Sequence, residues 1–295
     1  MRFAARSFVS PRDLAAAVDV SESSLKRWAD DGRIEVRRTA GGHRRIAIGE
    51  AIRFVRERGL VLADPVRLGL PDLGPQAPRI RPLASDDLGA LFEAHRGRDA
   101  AQALLRAFLG GMSVAELCDG PVRGALEGIG RRYEQHADGI AIEHGAVDAC
   151  LQGLGAIRGL LSPRPGGPLA VGGAVEGDPY ILPSLTVAMV VEEQGGRAIN
   201  VGPNAPTRAL AALVAEKRPS LVWRSASVAP DRAVRCGEID WLADLVRDAR
   251  SIVAVGGRGF RLDRSLPTGI QRFDSLQQLT GFLRAAWGAP ASRGT

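Results

Sequence analysis

Hydrophobic and polar positions along this chain fall into three regimes. The first sixty residues carry short helical stripes and two arginine-rich extended runs. Helical periodicity then dominates from Ser85 to Ser162. From Pro168 onward, compact apolar runs alternate with helical segments. Each regime predicts its own architecture.

In the first regime, Ser10-Pro11-Arg12-Asp13 has the form of a helix start, with a capping serine, proline at the first helical position and an acid in the first turn. Leu14 and Val18 supply the buried stripe, and Asp19-Val20 a tight turn. Ser21 caps a second helix, SESSLKRWAD, which stops at Gly32. Its Leu25 and Trp28 point inward, leaving Ser23, Ser24, Lys26 and Arg27 outside. Two short helices joined this way predict a helix-turn-helix, whose second helix suits the DNA major groove. Residues 34–38 and 43–48 follow as two strands around Ala40-Gly41-Gly42, where glycine permits positive φ. Arg37, Arg38, Arg44 and Arg45 then flank the tip. A Gly-Gly hairpin alone is an ordinary turn; four guanidiniums on it make a phosphate-binding wing. A third helix, GEAIRFVRERG, closes the segment, giving a DNA-binding domain over residues 1–62.

Residues 63–84 carry five prolines and predict a semi-rigid linker. Four helices are expected over 85–162. The first starts at a Ser85 cap with two acids. The second is apolar at Ala101, Leu104, Leu105 and Phe108. The third opens at a Ser113–Glu116 capping box and runs to about Gln135. The fourth runs from Gly139 to Leu161. Short connections predict a four-helix bundle. Over 166–288 the runs PLAVGGAV, RAINV, SLVWRS, SIVAVGG and IQRF are separated by helices near 181–195, 207–217, 238–249 and 275–287. That alternation predicts a Rossmann-like, flavodoxin-like α/β domain with a parallel sheet, whose ligand rim includes the loop at 176–180.

Charge sharpens this division. The formal net charge is +6, and residues 1–62 hold +5 of it while the remainder holds +1. A basic first fifth on a near-neutral body points to a polyanionic partner. Cys118, Cys150 and Cys236 match no zinc spacing and read as reduced, buried thiols. No signal-peptide pattern and no bilayer-length apolar run are present, so the expected location is the cytoplasm, with no membrane partner.

SSLKRWADDGRI followed by RRTAGGHRRI resembles the MerR-type winged helix, whose wing carries a Gly-Gly-His-Arg-Arg signature, here Gly41 to Arg45 with His43 at its centre. The resemblance covers residues 8–60. It implies that Lys26 and the wing arginines contact the backbone of double-stranded DNA, and that the protein binds a palindromic operator as a dimer. The long coiled coil of MerR proteins is not continued here.

The succession of winged helix, bundle and Rossmann-like domain resembles, over nearly the whole chain, the light-sensing cobalamin repressors of the MerR superfamily. What that resemblance implies falls on named positions. Tyr133 stands at the family's bundle tryptophan, ahead of the retained Glu143-His144. Asp178 is retained, Tyr180 replaces the histidine that ligates cobalt, and Pro183 replaces a glycine where the backbone opens for the buried nucleotide tail. Ser225 and Ser227 match the serine motif, and Gly256-Gly257 the paired glycines that leave room for the tail. A neutral phenol is a poor cobalt ligand. His43, His95, His136 and His144 are the only histidines, and none follows residue 144.

Three roles stay open for the last domain. It serves oligomerisation or signalling by a regulatory partner protein, without cobalamin. It binds a tetrapyrrole otherwise, as cobalamin without a protein lower ligand, haem or a bilin. Or it is a corrinoid carrier for methyl transfer, against which the fused DNA-binding segment argues. The expectation is a transcription regulator that represses, a homo-dimer or higher oligomer, with no catalytic residues and no metal ligands. Either no cofactor or one not held as histidine-ligated cobalamin is expected.

Overall fold

The computed structural model describes residues 7–73, 82–133, 137–229, 232–248, 251–260 and 266–288, without the side chains of 132, 133, 137 and 232–236. Two compact units divide it, one reaching Ser162 and one spanning Pro163–Pro290.

In the first unit, β1 (Phe8–Val9) leads into α1 (Pro11–Ala17). Ser10 Oγ accepts the Asp13 N–H at 3.1 Å, and the Asp13 carboxylate accepts the Ser10 hydroxyl at 2.7 Å. This reciprocal cap satisfies donors that the helix leaves open. Asp19, at φ 53°, turns the chain. Ser21 Oγ then accepts the Ser24 N–H at 3.1 Å and starts α2 (Glu22–Asp30). Leu14, Val18 and Leu25 are buried as expected. Trp28 is only half-buried, its ring tilted against Phe54 at 5.3 Å.

The extended runs differ from expectation. The ribbon consists of β2 (Arg37–Arg38) and β3 (Arg44–Ala47), which leads directly into α3 (Ile48–Glu57). Residues 34–36 stay out of the ladder. The Glu35 N–H goes instead to Glu50 Oε1 of α3, at 2.7 Å. Glu50 also takes Arg53 Nε at 2.7 Å and Nη2 at 2.6 Å, so a carboxylate with 8% exposure is fully paired. That bonding raises the Arg53 guanidinium pKa above its ordinary value. The unexpected strand β1 covers the other edge of β3, giving the order β1-β3-β2.

The proline-rich segment is packed where a linker was expected. Asp64 caps a short 3-10 turn at Pro65–Leu68, its N–H reaches Ala17 O at 3.1 Å, and Leu68, Leu70 and Leu73 are buried. Three leucines between the prolines anchor the chain to the core. Residues 74–81 lie outside the described residues.

Then come α4 (Ser85–Glu93), α5 (Gly97–Leu109), α6 (Val114–Leu117), α7 (Arg123–Tyr133) and α8 (Ala137–Arg158). Ser85, expected as a cap, is the first helical residue, and its hydroxyl donates to Gly120 O at 3.4 Å. Asp87 holds the helix start by accepting the Ala84 N–H at 3.3 Å. The single helix expected from Ser113 to Gln135 is broken between α6 and α7. Pro121 removes a donor, and a wide π turn at Cys118–Val122 absorbs the interruption. On α8, Gly153 lets the backbones close up: a Cβ there would fall 3.1 Å from Ala101 Cα of α5. Cys118 and Cys150 are buried; the Cys236 side chain lies outside the described residues.

The second unit alternates β4 (Leu169–Ala174), α9 (Ile181–Glu193), β5 (Arg197–Asn200), α10 (Thr207–Lys217), β6 (Leu221–Ser225), α11 (Arg232–Arg247), β7 (Ile252–Gly256), β8 (Ile270–Phe273) and α12 (Leu276–Trp287). All pairings are parallel, in the order β5-β4-β6-β7-β8. This is a Rossmann-like sheet whose strand order reverses beside β4, the usual place for a ligand crevice. Among the described residues, no helix is long and apolar enough to cross a membrane.

Candidate nucleic-acid interface and the carboxyl edge of the sheet

The ribbon pairs arginine with arginine. Arg37 lies opposite Arg45, and Arg38 opposite Arg44. Like charges directly across a ladder disfavour it unless an anion is supplied. Arg37, Arg38 and Arg45 are exposed. Arg44 is half-buried, its Nη2 2.7 Å from Asp30 Oδ1 at the last residue of α2. One expected phosphate ligand is therefore also the tie between ribbon and helix. At the tip the Gly42 N–H reaches Thr39 O at 2.9 Å, and Gly42, at φ 77°, is the glycine that the turn requires. His43 is exposed there.

On α2, Ser23, Lys26 and Arg27 are exposed and Ser24 is half-buried. The Ser23 and Ser24 hydroxyls each lie 2.9 Å from Ser21 Oγ, so both join the cap. Lys26 meets Glu22 at 3.0 Å, with both side chains about half exposed. Such a pair contributes little and yields readily to a phosphate.

At the carboxyl ends of the strands, Asp178 is fully buried and acts as a staple. Its Oδ1 accepts the Tyr180 N–H at 3.0 Å, its Oδ2 the Ser227 N–H at 2.5 Å, and its carbonyl the Asn204 N–H at 2.8 Å. Three loops are thus joined by backbone bonds to one residue. Tyr180 precedes α9 and is 45% exposed. Pro183 sits in the first turn of α9, where its missing N–H costs nothing. Ser225 pairs with Gly256 across the ladder. Gly257 has φ 98°, and a Cβ there would fall 2.2 Å from Ala226 O, so only glycine fits.

Side chains of β6 alternate between the two faces. Arg224, 1% exposed, faces α10 and α11. Its Nε and Nη2 bond Glu238 at 2.7 and 2.9 Å, and Nη1 and Nη2 reach Ala174 O at 3.1 Å and Ala205 O at 2.9 Å. Thr207 Oγ1 completes the carboxylate shell at 2.7 Å. Trp223 and Ser225 face α9. Trp223 is 1% exposed and donates from Nε1 to Ser184 Oγ at 3.3 Å; Ser184 donates to Asn200 Oδ1 at 2.6 Å. Ser225 Oγ is buried with no hydrogen-bond partner among the described residues. A partnerless buried hydroxyl costs about 1–3 kcal/mol and fits a lost or external acceptor.

Of these inward-facing residues, Ser225 was an expected site residue, while Arg224, Glu238, Thr207, Trp223, Ser184 and Asn200 were not. The available signals were an arginine and a tryptophan inside a run that otherwise reads as a buried strand. Of the remaining expected positions, Glu143 is half-buried and His144 exposed, both on α8 of the first unit. The Tyr133 side chain lies outside the described residues. Among the described residues, no cluster of His, Cys, Asp and Glu could hold a metal ion.

No protein-family model matches the chain. It is 27% identical over 288 residues to the HTH-type transcriptional repressor CarA of Myxococcus xanthus, covering 91% of this chain and 93% of that protein. Among solved structures, the monomethylamine corrinoid protein of Methanosarcina barkeri aligns at a TM-score of 0.53 and 13% identity, over 68% of this chain and 96% of that one. That likeness shows a shared fold. The relative is a repressor rather than an enzyme, which supports a DNA-binding regulator that is not an enzyme. Along nine-tenths of its length the chain is similar to a helix-turn-helix transcriptional repressor, and it shares the fold of a corrinoid protein.

Proposed function

We propose that the chain is a transcriptional repressor that binds a palindromic site in double-stranded DNA as a homo-dimer or higher oligomer, in the cytoplasm. Residues 1–62 act as a winged helix, with α2 in the major groove and the ribbon on the flanking phosphates. Residues 85–162 act as a helical bundle and 166–288 as a corrinoid-type domain. The exposed Arg37, Arg38 and Arg45, gathered on one short ribbon, carry this reading, because they concentrate cations that a phosphate backbone would neutralise. Ser23, Ser24, Lys26, Arg27 and His43 complete the DNA-facing set.

The corrinoid-type domain does not hold cobalamin through histidine in this proposal, and it serves assembly or a regulatory partner protein. Tyr180 at the ligand position supports this, as does the filling of the face beneath α9 by Trp223. Asp178, Ser227 and Gly257 there hold loops together. A second reading, a sensor of cobalamin or another tetrapyrrole, is favoured by the partnerless hydroxyl of Ser225. The resemblance assigns Glu143, His144 and Tyr133 to this second reading.

Selection of duplexes from a random pool by the purified chain tests the DNA proposal. Enrichment of an inverted repeat is the expected result; no enrichment at low salt overturns it. The absorption spectrum of the same preparation separates the two readings. Visible bands mean a bound tetrapyrrole, and their absence after incubation with cobalamin, haem and bilin supports the first.

A further inference from the structure

Trp223 is bound inside the second unit as a ligand would be. Parallel strands with both faces covered are usually filled by aliphatic side chains. Here β6 projects an indole over Gly172 of β4. A Cβ on Gly172 would fall 2.2 Å from Trp223 Cδ2 and 2.5 Å from Cγ, so the ring lies directly on bare backbone. The polar edge of the indole is satisfied by Ser184 of α9, which is itself oriented by Asn200 of β5. Ser184 is 0% exposed, so this hydrogen bond is made in a dry interior. Two positions further along the same face, the buried hydroxyl of Ser225 has no hydrogen-bond partner.

A glycine floor under the ring and a buried donor–acceptor relay at its polar edge describe a slot for a bicyclic aromatic group. We infer that the space between β4, β6 and α9 is an internal aromatic slot which the chain fills with its own Trp223, closing it to the nucleotide tail of cobalamin. The closing clause deepens the proposed loss of cobalamin binding; the slot itself stands on the contacts of Trp223 alone. The residues present therefore do not fit a cobalamin whose tail is buried behind α9.

The test uses the full chain and the variant Trp223→Gly, melted with and without millimolar indole or benzimidazole. The variant should melt about 10 °C or more below wild type. Either bicycle should raise its midpoint by several degrees while leaving wild type unmoved, as expected for a ligand that binds only the folded state. Leu242→Ala, a cavity in the core under α11, should gain nothing from either compound. If Trp223→Gly is insoluble alone, its refolding yield with indole gives the same answer. A rise supports the slot and no rise overturns it. Wild type is also titrated with hydroxocobalamin. No shift of the visible bands supports closure, whereas saturable uptake overturns it. Failure of wild type to bind DNA would sink the repressor proposal and leave these outcomes untouched.

Discussion

Removing Arg38 and Arg45 together should change how DNA binding depends on salt. Both side chains are exposed, and the register places them in different cross-strand pairs, so they address different phosphates. Each lost phosphate contact flattens the slope of log affinity against log salt by about 0.9. Two contacts in each of two copies give a change of about 3.6 in slope. Between 50 and 200 mM salt each contact corresponds to about a 3.5-fold difference in affinity. Arg44→Ala should behave differently. Its guanidinium is already held by Asp30 at 2.7 Å, so its loss also frees the ribbon from α2. Asp30→Asn loosens that tie while keeping every cation, and should leave the slope nearly unchanged. Fluorescence anisotropy at four salt concentrations, on the selected duplex and on a scrambled one, measures all three variants. The Arg38→Ala/Arg45→Ala protein should weaken on both duplexes. A slope within 0.5 of wild type for that variant would remove the ribbon from the interface.

Two further outcomes follow from buried groups. Glu238→Ala leaves the guanidinium of Arg224, with 0% side-chain exposure, without its carboxylate, and should cost about 3–5 kcal/mol of stability in urea unfolding. Burial pushes the Cys150 thiol up to about 12, from an ordinary 9.0. The native thiol therefore stays protonated, and iodoacetamide at pH 8 should leave Cys150 unmodified until the chain unfolds. Because only the unfolded thiol ionises between those two values, this group's stabilising contribution is present below pH 9 and is lost as the pH climbs toward 12.

Local chemistry made some elements legible. Ser10-Pro11-Arg12-Asp13 encodes its cap within four residues, and the capped helix is there. The five apolar runs after Pro168 became five parallel strands because both faces of such a sheet are covered, leaving short continuous apolar stretches. Elements whose cause lies far along the chain were hidden. β1 is two residues long, too short for any period, and exists because β3 offers an open edge. Pro121 sits in an otherwise helical pattern, and only tertiary packing decides between a break and a π turn. Leu68, Leu70 and Leu73 looked like spacing between prolines, yet they are buried. At the sheet edge, the match of Asp178 to a cofactor motif gave no sign of its stapling role, since Ser227 lies 49 residues away. Trp223 was legible as buried, but its support, Gly172, lies on another strand.

The seat of α3 bears on which operators the proposed dimer would accept. Arg56 of α3 lies 3.8 Å from the Phe108 ring of α5 and donates to Met112 O at 2.9 Å. Gly49 is pressed so close to residues 160–162 that a Cβ would fall 2.9 Å from Ser162 Cβ. Within the first unit, α3 is thus fastened directly to α5 and to the chain that follows α8. In a dimer paired through these helices of the first unit, the distance between the two α2 helices would be set by that pairing and not by the DNA. Inserting one base pair between half-sites moves them apart by about 3.4 Å and rotates one about a tenth of a turn around the duplex. A dimer paired in that way should treat the lengthened operator as foreign DNA.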